Sequence, residues 1–252
     1  MAEGDTIRRL VDRLDATIVG QQVAASAPNP RGRAAGVERL DGMTLQRADA
    51  RGKHLLLSFG ELSLHSHLGM SGGWHVYRQG SPWRRPRRSA WAVLSGGGWD
   101  AVQFGGSTLE VMTTAKLRRH PQIAGLGPDI LAAEFDLDAV VAAIRDDPSR
   151  ELGDALLDQR LIAGIGNIFK SEACFAGKVD PWRPVGNLSE AELREVLCDA
   201  RKLMQGAVET GRHPLRIYRR RGGACPRCRG RIVSRGQGDD NRTTYWCPRC
   251  QV

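Results

Sequence analysis

The spacing of hydrophobic and polar residues changes along this chain, and the first change follows a short helical segment. Residues 5–19 predict an amphipathic helix whose N-terminus Asp5 and Thr6 can cap. The apolar positions of this segment recur at helical spacing: Ile7, Leu10, Val11 and Leu14. We therefore expect a leading helix, followed by a region in which the apolar residues have a different spacing.

A β pattern extends from about residue 20 to residue 115. Short segments rich in β-forming residues lie at 53–59, 62–67, 91–94 and 108–113. Glycine clusters separate them at 72–73, 96–98 and 105–106. This alternation predicts a β-sandwich or barrel. Within the same region, residues 78–90 contain five arginines and two prolines and predict a basic loop.

The helical period returns after Pro128. One apolar stripe consists of Leu137, Val140, Val141 and Ile144. A second helical segment is predicted at 149–161, opened by its serine. In the third, Ser189 and Glu192 form a capping box and the apolar face continues until Gly211 ends the helix. The pattern thus indicates a β domain followed by a helical domain.

Four cysteines near the C-terminus have the spacing of a zinc site. Cys225-Pro-Arg-Cys228 and Cys247-Pro-Arg-Cys250 are separated by 18 residues. Four thiolates can hold a tetrahedral zinc ion, which replaces the hydrophobic core that so short a segment cannot build. Disulfides are the alternative, but the N-terminus has no apolar signal stretch, which favours a reducing cytoplasm. The other two cysteines, Cys174 and Cys198, lie in helical patterns and are expected to be buried apolar residues.

The charge of the chain is concentrated around this zinc element. Residues 212–252 contain eleven arginines, two aspartates and no lysine, a net charge equal to the +9 of the whole chain. A pI near 9.7 fits nucleic acid or an anionic membrane surface as the partner. No amphipathic basic helix and no run of ~20 apolar residues supports a membrane. Nucleic acid is therefore the expected partner, although arginine runs also simply solvate a surface and a zinc clip can be purely structural.

A glycine turn between two helical segments suggests a phosphate-binding element. Gly164 and Gly166 allow a tight turn, and Asn167 begins the next helix. Backbone N–H groups at a helix N-terminus form an anion pocket. The alternative is ordinary loop chemistry with no ligand.

Several of these segments together resemble one protein family. Residues 158–167, Asp-Gln-Arg-Leu-Ile-Ala-Gly-Ile-Gly-Asn, resemble the helix–two-turns–helix motif of the formamidopyrimidine-DNA glycosylase and endonuclease VIII family. Residues 242–251 resemble its zinc finger. The family's N-terminal domain is matched by Glu3-Gly-Asp, Arg51-Gly-Lys53-His and Ser66-His67-Leu-Gly-Met70. The matches occur in the family's order and span nearly the whole chain.

The resemblance implies an α+β fold in three parts. Residues 1–125 are expected to form a catalytic β-sandwich domain with a leading helix. Residues 126–213 would form a helix–two-turns–helix DNA-binding domain, and residues 214–252 a β-hairpin zinc finger with one structural zinc ion. The partner would be double-stranded DNA containing oxidised bases or abasic sites, bound by a monomer in the cytoplasm at the nucleoid.

The resemblance also implies a bifunctional glycosylase and abasic-site lyase. The family's nucleophile is the N-terminal amine after Met1 removal, here that of Ala2, with Glu3 as acid/base. An α-amine has a pKa near 8, so a useful fraction is neutral at cellular pH. Lys53 matches the lysine that contacts DNA and assists β-elimination. Arg242 matches the arginine that grips the flanking phosphate and assists δ-elimination.

Four further positions match DNA-binding residues of the family. Met70 matches the side chain that fills the space left by a flipped nucleotide, and a core methionine is its alternative. His67 matches a residue that touches backbone phosphate, with a structural strand histidine as its alternative. Gly166 and Asn167 would form the phosphate clamp of the helix–two-turns–helix motif.

One position departs from the family pattern at the proposed nucleophile. Residue 2 is usually proline, whose secondary amine passes directly to an iminium, and here it is Ala2. Alanine is small enough for methionine removal, so a primary amine can still form an imine with an aldehyde sugar. Two alternatives remain: an engineered substitution that weakens catalysis, or a paralogue that binds damaged DNA without cutting it. A regulator that reads sequence is disfavoured, because the arginines lack a recognition-helix pattern.

The class of lesion is indicated by a short connection. Only about a dozen residues separate Gly211 from Cys225, where purine-directed members of the family carry a longer lesion-covering loop. With the Glu-Gly-Asp opening, this favours the endonuclease VIII side of the family. The expected substrates are therefore oxidised pyrimidines such as thymine glycol or dihydrouracil.

Overall fold

The structure is a computed structural model that describes residues 2–213, 215–239 and 241–252. The chain divides into two compact units, residues 1–125 (unit 1) and residues 126–252 (unit 2). No helix among the described residues is long and apolar enough to cross a membrane.

Over residues 2–125, unit 1 contains a leading α-helix, eight strands and three short α-helices. Its helices are α1 Gly4–Asp15, α2 Pro30–Ala34, α3 Thr114–Arg118 and α4 Pro121–Ala124. Its strands are β1 Ala24–Ser26, β2 Arg47–Arg51, β3 His54–Phe59, β4 Leu62–His67, β5 Gly73–Arg78, β6 Ala90–Gly96, β7 Trp99–Phe104 and β8 Thr108–Thr113. The four predicted β segments are therefore present.

The strands form two four-stranded antiparallel sheets, in the orders β1-β6-β7-β5 and β2-β3-β4-β8. Side chains from both sheets and from α1 meet in one apolar core, which includes Ile7, Leu57 and Leu94. Strand β3 alternates only partly between buried and half-buried positions, since both of its neighbours and α1 pack around it. The predicted sandwich with a leading helix is confirmed.

The start and end of α1 differ from the prediction. The N-cap is Glu3, so Asp5 and Thr6 lie inside the first turn instead of capping it. Asp5 is fully buried and pairs with Arg9 at 3.3 Å. The helix ends at Asp15 because the chain turns at residues 17–20 and the N–H of Gly20 bonds to Leu45 O at 2.7 Å.

Among its described residues, unit 2 contains four α-helices and a β-hairpin. The helices are α5 Leu137–Arg145, α6 Leu152–Leu157, α7 Asn167–Ala176 and α8 Glu190–Thr210. The hairpin strands are β9 Val233–Gln237 and β10 Arg242–Trp246, paired from Arg242↔Gln237 to Trp246↔Val233. The predicted capping box of Ser189 and Glu192 opens α8, and Gly211 ends it with a left-handed φ of 70°.

Helix α6 is shorter than the segment predicted over 149–161. Ser149 does not open it, because its N–H and hydroxyl bond to Asp147 Oδ1 at 3.2 and 2.7 Å in a local turn. The N-cap is Glu151. At the other end, Asp158 accepts the N–H of Arg160 at 2.9 Å and has an extended backbone, which stops the helix after Leu157.

Candidate functional site

Ala2, the first described residue of unit 1, lines an open cleft. Ala2 is half-buried, and the carboxylate-bearing Glu3 that follows it is fully buried. The cleft has a volume of about 720 Å³ and is lined by Ala2, Thr6, Arg9, Leu10, Arg13, Leu68, Met70, Gly72, Gly73, Trp74, Val76 and Arg84. It combines an apolar wall with three arginines around the first residues of the chain, a setting suited to an anionic ligand.

Met70 projects from a tight turn that lines this cleft. The turn follows β4, and Gly69 adopts a left-handed φ of 57° there. Met70 is 66% exposed, which excludes the alternative of a core methionine. An exposed flexible thioether is available to enter a base stack. Intercalation itself stays a prediction.

Lys53 and His67 are brought together by strand register. Lys53 occupies the turn between β2 and β3, next to His54, and His54 pairs directly with His67 across the β3–β4 ladder. The His67 Nδ1 lies 2.6 Å from Ser107 Oγ. Burial, and then the nearby charge of Lys53, lowers the pKa of His67, so its ring is largely neutral near pH 7. A neutral ring can donate a hydrogen bond to phosphate without adding charge.

Three more histidines lie in a row with His67, and the sequence alone does not predict that these residues come together. His54 Nδ1 lies 2.8 Å from His65 Nε2, and the rings of His54 and His67 are 4.7 Å apart. Burial lowers the pKa of His54 to about 3 and that of His65 to about 4, with neighbouring histidines adding to both shifts. His120 packs edge-on against His65 at 5.0 Å. The sequence signal for this row is the alternation of histidines at positions 65 and 67, which can be interpreted only with the strand register.

In unit 2 the predicted glycine turn leads into α7. Gly164 has a φ of 108°, a conformation that favours glycine, and its N–H donates to Gln159 Oε1 at 3.0 Å. Gly166 is the N-cap and Asn167 the first helical residue. The Asn167 amide donates to Thr243 O at 2.7 Å, which ties the start of α7 to β10, one residue from Arg242. The predicted clamp residues and the predicted arginine thus lie on connected elements.

A buried polar network fixes the hairpin, and no pattern in the sequence indicates it. Lys170 on α7 is fully buried and donates to Gln237 Oε1 at 3.3 Å and to the hydroxyl of Thr244. Gln237 donates in turn to Glu151 Oε2 at 3.0 Å and to Pro181 O at 2.7 Å. Because a buried ammonium requires partners, these bonds hold β9 and β10 in one position on unit 2.

Arg242 lines a second cleft, which has a volume of about 490 Å³. Its lining residues are Asp147, Arg150, Asp154, Leu157, Asp158, Arg160, Gln237, Gly238, Asp239 and Arg242. Asp158 pairs with Arg160 at 2.7 Å and with Arg150 at 2.9 Å. The Arg160 guanidinium, with Arg150, holds the pKa of the Asp158 carboxyl well below its usual range. Two of the three arginines are therefore partly neutralised within the cleft.

The four predicted zinc ligands converge. Cys225 Sγ lies 3.8 Å from Cys250 Sγ, and Cys228 Sγ lies 3.5 Å from Cys247 Sγ. A tetrahedron of ~2.3 Å Zn–S bonds requires sulfurs about 3.8 Å apart, and a disulfide would require ~2.05 Å. The N–H groups of Arg227 and Gly230 each donate to a sulfur at 3.4 Å, as expected around thiolate ligands. All six cysteines are free of disulfides, and the cluster fits one structural zinc ion.

Several finger arginines have structural partners. Arg227 stacks over Phe175 at 4.5 Å and donates to Phe175 O at 3.0 Å, near the C-terminal end of α7. Arg235 lies 4.1 Å from the centre of the Trp182 ring. These contacts use the charge or the flat face of guanidinium within the protein. The formal charge of the segment therefore overstates what is available to a partner.

Comparison with known proteins gives matches over nearly the full length. Three family models match in succession: the formamidopyrimidine-DNA glycosylase N-terminal domain over residues 1–103, the formamidopyrimidine-DNA glycosylase H2TH domain over 126–219, and the zinc finger found in FPG and IleRS over 222–252. The predicted fold class is confirmed by these matches.

Individual relatives agree with the family matches. The "Probable endonuclease 8 2" of Streptomyces coelicolor is 37% identical, covering 100% of this chain and 94% of that protein. The "DNA-(apurinic or apyrimidinic site) lyase Nei2" of Mycolicibacterium smegmatis is 34% identical, covering 100% and 99%. A solved structure of Lactococcus lactis Fpg with abasic-site DNA shares the fold, with a TM-score of 0.86, 24% identity and 99% of both chains covered. This chain belongs to the formamidopyrimidine-DNA glycosylase and endonuclease VIII family.

Proposed function

We propose that this protein is a bifunctional DNA glycosylase and abasic-site lyase that acts in base-excision repair. The observation that carries the proposal is the position of Ala2 in an arginine-lined cleft, directly before the buried Glu3. Relatives that align over the entire chain bear the names of an endonuclease 8 and of an abasic-site lyase. The DNA partner is a duplex containing an oxidised base or an abasic site.

In the proposed reaction the Ala2 amine, exposed by removal of Met1, is the nucleophile. Its nitrogen attacks C1′ of the deoxyribose, the bond from C1′ to the base breaks, and the base departs with a proton. The C1′–O4′ bond then breaks as O4′ takes a proton, which opens the sugar ring and leaves a Schiff base between C1′ and the Ala2 nitrogen. The Schiff base acidifies the C2′ proton, whose removal breaks the C3′–O bond by β-elimination. Glu3 moves protons beside the amine as the acid/base residue.

The remaining site residues have binding roles in this proposal. Lys53 and His67, which register brings together, contact the DNA backbone, and Lys53 assists β-elimination. Met70 fills the space of the extruded nucleotide. Arg242, with Gly166 and Asn167, grips phosphate, and Arg242 assists δ-elimination.

The proposed domains are residues 1–125 for catalysis, 126–213 for DNA binding and 214–252 for the zinc finger.

We propose oxidised pyrimidines as the substrates. The short connection before Cys225 supports this choice of substrate, because it is fixed in place. Glu172 accepts the N–H groups of Arg216, Ile217 and Tyr218 at 2.8–3.0 Å. We further propose that the protein is a monomer that acts on the chromosome in the cytoplasm.

Reductive trapping tests the nucleophile. Protein whose N-terminus is shown by mass spectrometry to begin at Ala2 is mixed with an abasic-site duplex and sodium borohydride. We expect one covalent adduct per chain, with the modified peptide containing Ala2, and strand cutting when borohydride is omitted. Glu3→Gln should retain DNA binding while losing release of an oxidised base.

The alternative, a binder that has lost catalysis, rests on the alanine at position 2. Tight binding of the duplex without adduct, by protein with Met1 confirmed absent, would favour the binder. Ala2→Pro then separates the remaining possibilities. A large gain in cutting would identify alanine as the impairment, whereas equal cutting would indicate that the primary amine is competent.

A further inference from the structure

A second cluster of side chains that could hold a metal ion lies in unit 1, separate from the four cysteines. It consists of His65 on β4, Glu110 directly opposite on β8, and His120 at the N-cap of α4. Their nearest ligand atoms all lie within 4.8 Å of one another. Glu110 Oε1 is 3.6 Å from His65 Nδ1 and 3.5 Å from His120 Nε2.

These distances are long for hydrogen bonds and suitable for ligands around one ion. His65 Nδ1 is buried and has no hydrogen-bond partner among residues 2–213, 215–239 and 241–252. Leaving such an atom unpaired costs about 1–3 kcal/mol. Bonds of ~2.0–2.1 Å from a tetrahedral ion would place neighbouring ligand atoms about 3.3–3.4 Å apart, within a few tenths of an ångström of the distances to Glu110.

The surroundings of His65 supply the outer contact that a metal-bound histidine requires, whereas His120 Nδ1 has no hydrogen-bond partner among the described residues. The other ring nitrogen of His65, Nε2, lies 2.8 Å from His54 Nδ1. A histidine that binds metal through one nitrogen normally bonds through the other to a fixed partner, which sets its tautomer and orientation. His65 is fully buried, whereas the Glu110 side chain is 39% exposed and offers a path of entry.

We propose that His65, Glu110 and His120 bind a divalent transition-metal ion, with zinc as the reference ion. Two imidazoles and one carboxylate suit zinc, nickel or iron(II), and three protein ligands leave a position for water. The site is distinct from the cysteine cluster, whose ligands are all thiolates in the other unit.

Occupancy would affect the histidines beside Lys53. Binding through His65 Nδ1 places the remaining ring proton on Nε2, so His65 donates to His54 Nδ1. His54 then carries its own proton on Nε2. The ion would thus fix the tautomer of His54, whose ring packs 4.7 Å from that of His67.

Metal stoichiometry tests the proposal without any enzymatic assay. The full chain, free of affinity tags, is equilibrated with micromolar buffered zinc, and bound metal is counted by inductively coupled plasma mass spectrometry. We expect two zinc ions per chain in the wild type and one in His120→Ala and in Glu110→Gln. Cobalt substitution should show thiolate charge-transfer absorption in all three proteins. A second set of d–d bands should appear only in the wild type.

The control is His75→Ala, which removes a partly buried histidine from the other sheet and should retain two ions. Glu110→Gln preserves shape at a partly exposed position, so it tests the site even if His120→Ala is poorly folded by circular dichroism. A wild-type stoichiometry of one would overturn the proposal. So would retention of the second ion by Glu110→Gln with less than a tenfold loss of affinity.

Discussion

The sandwich of unit 1 and the finger of unit 2 hold their candidate DNA-contacting residues by different means. The sandwich has a large apolar core, and its strand register places Lys53, His67 and Met70 at the ends and turns of well-packed strands. The finger has a small buried cluster instead: Phe175, Ile217, Cys225, Ile232 and Cys247. Two of those five residues are zinc ligands.

This difference determines what limits each region. In the finger, metal bonds and the Lys170–Gln237 network replace the missing apolar area, so a few side chains carry much of the stability. In the sandwich, many apolar contacts share the stability, and polar site residues can be exposed or held neutral with little consequence for the fold. The two regions should therefore respond differently to single substitutions.

The largest expected effect is loss of the zinc ion. Cys247→Ser removes a buried ligand, and structural zinc sites contribute on the order of 10 kcal/mol. We expect residues 222–252 to unfold locally, with rapid amide hydrogen exchange there and retained protection in the sandwich. DNA affinity should fall about 100-fold or more at low salt, because the arginines lose their arrangement.

Cys198→Ser is the matched control, since Cys198 is a partly buried free thiol outside the cluster. It should retain zinc, exchange protection in the finger and DNA affinity. Unchanged protection of residues 222–252 in Cys247→Ser would show that the apolar cluster is sufficient without the metal.

The next effect tests the buried polar network. Gln237→Ala removes an acceptor from the buried Lys170 ammonium and a donor from Glu151. We expect a loss of about 2–4 kcal/mol in the free energy of unfolding of unit 2, measured by urea denaturation. Ser234→Ala, on the same strand but half-buried, should stay within about 0.5 kcal/mol of the wild type. Equal effects of the two substitutions would show that the polar network does not stabilise the finger.

A smaller and graded effect is expected from the neutral histidines of the sandwich. The folded pKa values of His54 and His65, about 3 and about 4, lie below the ordinary 6.5, so between pH 4 and 6.5 the unfolded chain binds protons that the folded chain excludes. Their stabilising contribution is complete above pH 6.5 and is lost as the pH falls. The slope approaches about 1.4 kcal/mol per pH unit for each histidine.

His54→Gln should reduce this slope by about half when unfolding is measured from pH 7 to pH 5. The measurement uses protein that holds one zinc ion per chain, so that the cluster of His65, Glu110 and His120 carries no metal and protonation of the cysteine cluster affects both proteins equally. Parallel pH profiles would show that His54 titrates normally in the folded protein. His75 lies on the other sheet, and His75→Gln should leave most of the slope in place.

The contrast between the two regions also explains how far the sequence could predict them. The cysteine spacing identified the zinc site directly, because metal ligands must recur at fixed separations. The strands of the sandwich were predictable from local composition, and β4 and β8 match the predicted bounds. Register was not predictable, since it depends on which strands pair, and so the row of His54, His65 and His67 was missed.

The errors at helix ends have a similar origin. The end of α1 precedes a turn in which Gly20 bonds to the distant Leu45, and the N-cap of α6, Glu151, forms a bridge with the distant Pro184. Lys170 was missed for the same reason. A lysine within a helical pattern is usually exposed, and only its partners on the hairpin permit its burial.

The smallest effect on stability is expected at Met70, although its effect on DNA chemistry should be measurable. Met70 is 66% exposed, so Met70→Ala should change the free energy of unfolding by no more than about 0.5 kcal/mol. Excision from duplex DNA should slow by about tenfold, because an extruded base leaves a gap that costs a few kcal/mol when nothing fills it. Single-stranded substrate has no stack to fill, so its cutting should be nearly unaffected. Leu215→Ala, which truncates a 47% exposed side chain in the other unit, should leave the duplex-to-single-strand ratio at the wild-type value. If Met70→Ala also leaves that ratio unchanged, the wedge must be another residue, and the sandwich would contribute less to base extrusion than its exposed methionine suggests.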